Sequence, residues 1–406
     1  MCRLLRPHAT MPEPFDQTII DFLISPTGKE AVELGQRLDP TRPADVAKLR
    51  TICTLEQARA VLELVDLRRR AKAKFSRAES MLFDRVGFEQ STSEQIALYK
   101  AKRFERIEPQ APILDLGCGI GGDAIGLTAV AEVQAIERSA ARLRMAEHNL
   151  EVYGRRDRCR FIGRDVREVP LTGPAFHLDP DRRSAGRRTV RLEEYEPGIE
   201  LTSAILRAVP TGAIKLSPAL NYHDLPWPGE IEMISEAGEC KQLVLWTGEL
   251  AETTLRATVL PQNVSLTDRQ EPRYEVSPIG RYLYDPDGGV VRLRLLPQLA
   301  GLLDLDFLAP GQVVLTSDSR VSSPLAECFE VEETIPFHQP KLRKLLRTRG
   351  VGTVTVKPRG AKVDVDRLAR DLSAKQGDPR CVFLLRLEKQ VLAVVTRRLS
   401  LDQAQD

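Results

Sequence analysis

A short apolar run followed by crowded glycines is the stretch of this sequence best suited to chemistry. Residues 113–127 read ILDLGCGIGGDAIGL, in which Asp115 closes the apolar run, four glycines follow within six residues, and a segment able to start a helix comes next. A strand, turn and helix of this kind bring backbone N–H groups and a helix N-terminus up to a ligand, and glycine permits the close approach. The stretch therefore predicts a ligand-binding turn at the carboxyl end of a strand.

Acidic residues follow three successive predicted strands. Asp115 ends the first, Glu137 stands 20 residues after the first glycine behind the apolar run 133–136, and Asp165 follows the run 159–162. A carboxylate about 20 residues beyond the turn can accept hydrogen bonds from both hydroxyls of a ribose. An acid before the first glycine suits a cationic ligand. The three acids therefore predict one site for a nucleotide-containing cofactor at one edge of a parallel sheet, with a nicotinamide dinucleotide as the alternative.

These segments resemble the first three motifs of class I S-adenosylmethionine-dependent methyltransferases. DLGCGIGG, AIER and GRDV carry the resemblance. It implies S-adenosyl-L-methionine as the cofactor, with Asp115 and the glycine turn at the methionyl end, Glu137 at the ribose and Asp165 at the adenine amine. The residues implied for cofactor binding are Asp115, Gly117, Cys118, Gly119, Gly121, Gly122, Asp123, Glu137, Arg138, Asp165 and Val166.

The segment after the predicted fourth strand, HLDPDRR at 177–183, is where we expect methyl transfer. Transfer from a sulfonium is an in-line displacement, so the protein chiefly positions the nucleophile and excludes water. Amine-directed relatives carry an acid or amide, two prolines and an aromatic residue here. Asp179 and Pro180 match this pattern, whereas Asp181 and Arg182 do not. We therefore predict Asp179 and Pro180 as catalytic residues. Nitrogen is the favoured acceptor atom, and the identity of that atom stays open. The absence of a cysteine here disfavours carbon methylation of a pyrimidine through a covalent adduct.

Three basic segments favour a polyanionic partner. Six basic residues stand between positions 68 and 77, five between 182 and 191, and eight between 338 and 362, each without an acid. A solvated surface is the alternative for each, and a lid over the cofactor cleft is a further alternative for the first. Because the net charge is only +2, the cations are segregated, which favours RNA. The residues predicted to contact RNA are Arg182, Arg183, Lys341, Lys344 and Arg347.

Composition and length set the broad class. A chain of 406 residues predicts two or three domains, and 42% hydrophobic with 29% charged residues is typical of a globular protein. No apolar run approaches the ~20 residues of a membrane helix, and the first residues lack a signal-peptide core, so we expect a cytoplasmic protein. Seven scattered cysteines and five separated histidines predict neither a disulfide framework nor a metal site.

The order of predicted elements indicates an α/β protein. A helical region (1–105) precedes a Rossmann-like domain (106–262), in which parallel strands are closed by an antiparallel hairpin. A connector (263–330) leads to a small α+β domain (331–406). The layout resembles bacterial class I methyltransferases that end in a THUMP-like domain, on the residues KFSRAESMLFDRVGFEQST, GRYLYDPD, PFHQPKLRKLLRTRG and VTVKPRG.

This second resemblance implies an RNA substrate, with tRNA or rRNA favoured. A fainter likeness of the central domain to RNA guanine-N2 methyltransferases is weakened by the DPDR segment. Two alternatives stay open, namely a small-molecule methyltransferase and a noncatalytic RNA-binding protein of the same fold. The oligomeric state is not predicted.

Overall fold

The computed structural model describes most of the chain and divides it into two compact units. The described residues are 15–39, 41–107, 111–181, 183–184, 187–188 and 191–401, with no side chain described at 182–190. The first unit runs to Pro228 and also includes Leu245–Leu250, and the second holds Gly229–Val244 and the residues from Ala251 onward. The boundaries predicted at 105, 262 and 330 stay predictions.

Helices precede the first strand, as the sequence predicts. They are α1 (Gln17–Ile24), α2 (Pro26–Gln36), α3 (Pro43–Leu49), α4 (Leu55–Ala71), α5 (Arg85–Gln90) and α6 (Glu94–Phe104). Local signals fix their starts: Thr54 and Gln57 form a reciprocal capping box before α4, and Asp84 and Ser93 cap α5 and α6. These starts matter for the site, because α5 and α6 lead to it.

The region predicted to be helical, residues 1–105, contains a long segment that is not helical. Residues 72–84 run as turns and irregular chain. The buried side chain of Asn149 holds this path, since its Oδ1 accepts from Leu82 N at 2.7 Å and its Nδ2 donates to Leu82 O at 3.0 Å. A remote amide thus satisfies backbone groups that a helix would have paired locally.

A parallel sheet forms the centre of the first unit. Its strands are β1 (Ile113–Leu116), β2 (Val133–Ile136), β3 (Cys159–Ile162), β4 (Phe176–Leu178) and β7 (Gly212–Leu216); a two-residue pair, β5 (Arg183–Ser184) and β6 (Arg187–Arg188), lies between β4 and β7 in the chain. The helices that follow β1, β2 and β6 in the chain are α7 (Gly122–Val130), α8 (Ala140–Val152) and α9 (Ile199–Ala208). The spatial order β7-β4-β1-β2-β3 confirms the predicted Rossmann-like sheet. Its strand order reverses between β1 and β4, where open α/β sheets bind ligands.

The second unit begins with a hairpin. Strands β8 (Glu230–Glu236) and β9 (Glu239–Thr247) are joined by a turn in which Ala237 and Gly238 have φ of 53° and 77°. Strand β10 (Leu255–Leu260) pairs in parallel with β8, and β11 (Val264–Thr267) pairs antiparallel with β10. The last residues of β9, from Leu245, belong to the first unit, where β9 neighbours β7.

A seven-stranded sheet makes up the rest of the second unit. Its strands are β12 (Tyr282–Pro286), β13 (Asp306–Phe307), β14 (Leu315–Ser317), β15 (Ala326–Pro336), β16 (Val351–Arg359), β17 (Asp378–Leu387) and β18 (Gln390–Arg398), in the order β13-β14-β12-β15-β18-β17-β16. The helices of this unit are α10 (Gly288–Arg292), α11 (Leu296–Leu303), α12 (Gln339–Thr348) and α13 (Val365–Leu372). The buried side chains of α12 and α13 share one core with strands β16, β17 and β18.

Ion pairs show that this sheet curls strongly. Strand β12 is four strand positions away from β16, a separation of roughly 19 Å in a flat sheet. Yet Lys357 Nζ lies 2.7 Å from Asp285 Oδ2, and Arg359 binds both oxygens of the same carboxylate. The two strands therefore approach each other across the concave side.

Within the described parts of the chain, no helix combines the length and apolar character needed to cross a bilayer.

Candidate active site

A pocket opens at the carboxyl edge of the parallel sheet. Its walls come from the glycine turn after β1, the residues that follow β2, β3 and β4, and residues 196–201. The N-terminal region completes the pocket through Gly87, Gln90, Ser91 and Thr92. Every described wall belongs to the first unit.

The glycine turn needs glycine for two separate reasons. Gly117 has φ of 79°, and a Cβ there would lie 3.1 Å from the carbonyl oxygen of Asp179. Gly121 has φ of 86°, and its Cβ would lie 3.2 Å from Ala146 on α8. Larger residues would strain the backbone and push apart the elements that form the pocket.

Two backbone N–H groups hold the carboxylate of Glu137 in the pocket. Its Oε2 accepts from Gly119 N at 3.0 Å, and its Oε1 accepts from Ser139 N at 2.9 Å. Each oxygen keeps a lone pair for a further donor. Burial raises the pKa of Glu137, while the two backbone donors and nearby arginines oppose that rise. The carboxylate therefore fits a pair of hydroxyl groups in the pocket.

Asp165 lines the pocket but already has a partner. Arg167 makes two side-chain hydrogen bonds to it, at 2.9 Å from Nε and 2.7 Å from Nη2, and its backbone N–H adds a third at 3.0 Å. The Arg167 hydrogen bond lowers the pKa of Asp165 to about 2. The carboxylate stays ionised and could accept from an adenine amine only through its remaining lone pairs.

Asp115 lies outside the pocket wall. Its side chain is fully buried in β1, and its Oδ1 accepts from Nδ1 of His177, the residue beside it in β4, at 2.9 Å. The ammonium of Lys100 lies 3.0 Å from Nε2 of His177 and can only donate, so the ring proton sits on Nδ1. Oδ2 of Asp115 has no hydrogen-bond partner within the described residues. Burial raises the pKa of Asp115.

Asp123, in the first turn of α7, is the acid that reaches the pocket near the glycine turn. Lys100 Nζ lies 2.6 Å from its Oδ1, and the Thr92 hydroxyl donates to its Oδ2 at 2.7 Å. Burial alone would raise the pKa of Asp123, but the charges of Lys100 and Lys215 outweigh burial and lower it. Asp123 is therefore a buried carboxylate that stays negative beside the glycine turn.

The acids of the DPD segment are held by residues remote in sequence. Lys215 Nζ, at the end of β7, lies 2.7 Å from Asp179 Oδ2 and 2.8 Å from the Gln90 carbonyl oxygen. The Gln90 side chain donates to Asp181 Oδ1 at 2.8 Å. Asp179, Asp181 and Glu196 thus give this end of the pocket three carboxylates.

The structure brings most of the predicted site together. The predicted residues that line the pocket are Gly117, Cys118, Gly119, Gly122, Asp123, Glu137, Arg138, Asp165, Val166, Asp179 and Pro180. Asp115 and Gly121 stand behind the wall and support it. Arg182 lies outside the described residues, and of Arg183 only the backbone is described. Lys341, Lys344 and Arg347 are exposed on α12 of the second unit.

Gln90, Thr92, Lys100 and Lys215 were missed by reasoning from the sequence. One signal existed for Lys100, because it stands four residues from both Ile96 and Phe104 on the buried stripe of α6. A cation at a buried helical position needs an anionic partner. Nothing local marks Gln90 or Lys215.

The basic segment between residues 68 and 77 stabilises the pocket wall. Arg68 donates to the carbonyl oxygens of Met81 and Ser80, and Lys74 donates to those of Phe88 and Ser91. These cations therefore fix the backbone of residues 80–91 from behind. The other four cations of the segment, Arg69, Arg70, Lys72 and Arg77, are exposed, as the solvated-surface alternative expects.

Comparisons with known proteins identify the family of this chain. A family model described as RNA cap guanine-N2 methyltransferase matches residues 110–223, and one described as THUMP domain-like matches residues 326–398. An uncharacterized S-adenosylmethionine-dependent methyltransferase of Mycobacterium tuberculosis, found in strains CDC 1551 and H37Rv, is 30% identical over 356 residues, which cover 84% of this chain and 96% of the relative. This chain belongs to the S-adenosylmethionine-dependent methyltransferases.

A solved structure supports the fold of the whole methyltransferase. A Porphyromonas gingivalis W83 protein for which methyltransferase activity is proposed superposes with a TM-score of 0.75. The match covers 95% of this chain and 100% of that chain at 20% sequence identity. The likeness in fold therefore extends to the helical N-terminal region, the methyltransferase sheet and the C-terminal THUMP-like sheet.

Proposed function

We propose that this methyltransferase modifies an exocyclic amine of an RNA base, with tRNA or rRNA as the favoured substrate. The observation that carries the RNA substrate is a pairing pattern in the C-terminal basic cluster of residues 341–362. Four of its eight cations are bound by acids from other parts of the second unit: Arg343 by Asp371, Arg349 by Glu333, and Lys357 and Arg359 by Asp285.

The other four cations are exposed and have no ion pair within the described residues. They are Lys341, Lys344, Arg347 and Lys362. The first three lie on α12 at three-residue spacing, while Leu342 and Leu346 are buried on the opposite face. Exposed cations in one stripe, with no ion pair to a described acid, suit the phosphates of a polyanion.

The amine target rests on the carboxylates at the acceptor end of the pocket. Asp179, Asp181 and Glu196 all line this end, and carboxylates accept hydrogen bonds from N–H groups. A base edge that presents an amino group supplies such donors. The match of residues 110–223 to the RNA cap guanine-N2 model supports the same class of atom.

The roles of the chain's residues follow from these positions. When bound, S-adenosyl-L-methionine supplies an electrophilic methyl group on a sulfonium. Glu137 would hold the ribose hydroxyls, Asp123 would meet the methionyl ammonium, and Asp179 would orient the amine. Pro180 lines the pocket next to Asp179 and lacks an N–H that could compete for the carboxylate. The pocket walls exclude water from the displacement.

Asp179→Ala tests the assignment. We expect S-adenosylmethionine affinity within about threefold of the parent, because Asp179 orients the acceptor and does not bind the cofactor. Methyl transfer to total RNA from cells that lack the gene should fall by roughly 100-fold. Mass spectrometry of the digested RNA would identify the methylated nucleoside. Near-parental transfer by the variant would move the chemistry to Asp181, and methylation of no RNA would favour a small-molecule acceptor.

Action on tRNA or rRNA is consistent with the cytoplasmic location that the sequence predicts, which stays a prediction.

A further inference from the structure

A buried ammonium stands between the cofactor end and the acceptor end of the pocket. Lys215 is 2% exposed, and its Nζ lies 2.7 Å from Asp179 Oδ2 and 4.0 Å from Asp123 Oδ2. Asp123 already has two closer partners, the ammonium of Lys100 at 2.6 Å and the hydroxyl of Thr92. The close partner of Lys215 is therefore Asp179.

The backbone of the N-terminal region fixes where this ammonium sits. The Gln90 carbonyl oxygen accepts from Lys215 at 2.8 Å, while the Gln90 side chain donates to Asp181. Gln90 is the last residue of α5, and the carbonyl oxygen of Phe88 in the same helix accepts a hydrogen bond from Lys74. Lys215 is thus held by two hydrogen bonds, one to the C-terminal end of α5 and one to Asp179.

This arrangement determines which oxygen of Asp179 can meet a substrate. The side chain of Asp179 is 23% exposed at the pocket, so without a partner it could rotate among several rotamers. The charged hydrogen bond from Lys215 engages Oδ2 and leaves Oδ1 able to accept from an amine. Displacing a reacting group by about 1 Å costs on the order of 100-fold in rate.

We propose that Lys215 is a positioning residue for methyl transfer, which presents Asp179 Oδ1 to the acceptor amine by holding Oδ2. The inference rests on the role proposed above for Asp179. Lys215 contacts the acceptor only through that carboxylate, so its loss should lower kcat more than it changes cofactor affinity.

A double-mutant cycle tests the proposal in the full-length protein. Lys215→Met, Asp179→Ala and the double variant are compared with the parent by transfer of tritiated methyl groups to total RNA from cells that lack the gene. Calorimetry gives the Kd for S-adenosylmethionine, and thermal melting reports folding. Lys102→Met, an exposed lysine on α6, is the matched control.

We expect Lys215→Met to lower kcat by about 100-fold with the cofactor Kd changed by less than about threefold. In the Asp179→Ala background the same change should lower kcat by less than about threefold, because residues that act through one another are not additive. The proposal is overturned if the kcat losses of the two single variants multiply in the double variant. It is also overturned if Lys215→Met leaves kcat unchanged. Full activity of Asp179→Ala would instead overturn the role of Asp179 itself.

A buried lysine can also be needed for folding. If Lys215→Met does not fold, Lys215→Gln, whose side chain is one bond shorter, keeps a hydrogen-bond donor without the charge. A loss of kcat in this variant with cofactor binding intact supports the proposal, and parental kcat contradicts it.

Discussion

At the scale of single residues, burial divides the acids into those that hold the pocket and those that face a ligand. Asp115 and Glu137 both have pKa values raised by burial, but only Glu137 lines the pocket. Asp123 and Asp165 have lowered pKa values, because cations outweigh burial at Asp123 and Arg167 binds Asp165. Among these pocket acids, Glu137 is the one whose ionisation changes first as the pH falls.

Glu137→Ala should weaken S-adenosylmethionine binding by about ten- to a hundredfold, since hydrogen bonds to a charged group contribute roughly 1.5–3 kcal/mol. Calorimetry measures the change, with Glu132→Ala, an exposed glutamate at the opposite end of β2, as control. Parental affinity in Glu137→Ala would exclude the ribose contact.

Cofactor affinity should also weaken in acid. The pKa of Glu137 is raised from 4.5, so its carboxylate is lost at a higher pH than that of an exposed glutamate. The folded protein then binds this proton more readily than the unfolded chain does, so the unliganded protein gains stability as the pH falls through the raised pKa. Calorimetry across pH should show an acid limb above pH 4.5 that Glu137→Gln lacks.

At the scale of elements, two basic segments of similar composition make different contacts in the structure. In the run at residues 68–77, Arg68 and Lys74 bind backbone carbonyl oxygens behind the pocket. On α12, Lys341, Lys344 and Arg347 are exposed and have no ion pair within the described residues. Both runs are dense in charge, and the sequence predicted RNA contacts only for residues of the second. The difference lies in whether carbonyls and acids come within reach after folding.

Neutralising the α12 stripe by Lys341→Gln, Lys344→Gln and Arg347→Gln should weaken RNA binding without changing the cofactor Kd. Each phosphate contact adds about 0.7–0.9 to the slope of log affinity against log salt, so the slope should fall by roughly two to three units. Gel shifts across salt concentration measure it. Neutralising Lys29, Lys48 and Lys102 in the first unit removes the same charge and should leave the slope unchanged. Equal effects of the two triple variants would show that only net charge matters.

At the scale of the whole molecule, two compact units each carry their own buried core. Asp285 closes the curled sheet of the second unit by holding Lys357 and Arg359, and its side chain is only 8% exposed. Without this carboxylate Lys357 keeps Glu327, at 2.6 Å, whereas Arg359 loses its acid, and a charge left uncompensated costs about 3 kcal/mol.

Asp285→Asn should therefore lower one unfolding transition by about 6–12 °C, given ~2–4 °C per kcal/mol for a unit of 150–250 residues. S-adenosylmethionine should raise a different transition, because a ligand stabilises the unit that binds it. Scanning calorimetry resolves both, with exposed Asp366→Asn as control. A single transition that moves with both the substitution and the cofactor would show that the units unfold together.

The sequence by itself determined the family, the Rossmann-like and THUMP-like parts and the cofactor. The reason is local: a glycine turn with left-handed φ, acids at strand ends and alternating strands and helices are all encoded within short segments. The predicted positions that line the pocket, from Gly117 to Pro180, lie at turns and strand ends for the same reason.

Only the tertiary structure decided what surrounds those acids. Lys215 meets Gln90 across 125 positions and Asp179 across 36, and Asp285 meets Lys357 across 72. No local pattern encodes such pairings. Burial likewise moved Asp115 behind the wall, because its place in β1 turns it toward His177 in the neighbouring strand. Charge neutralisation inside a fold depends on which side chains the chain brings together, and that is a property of packing.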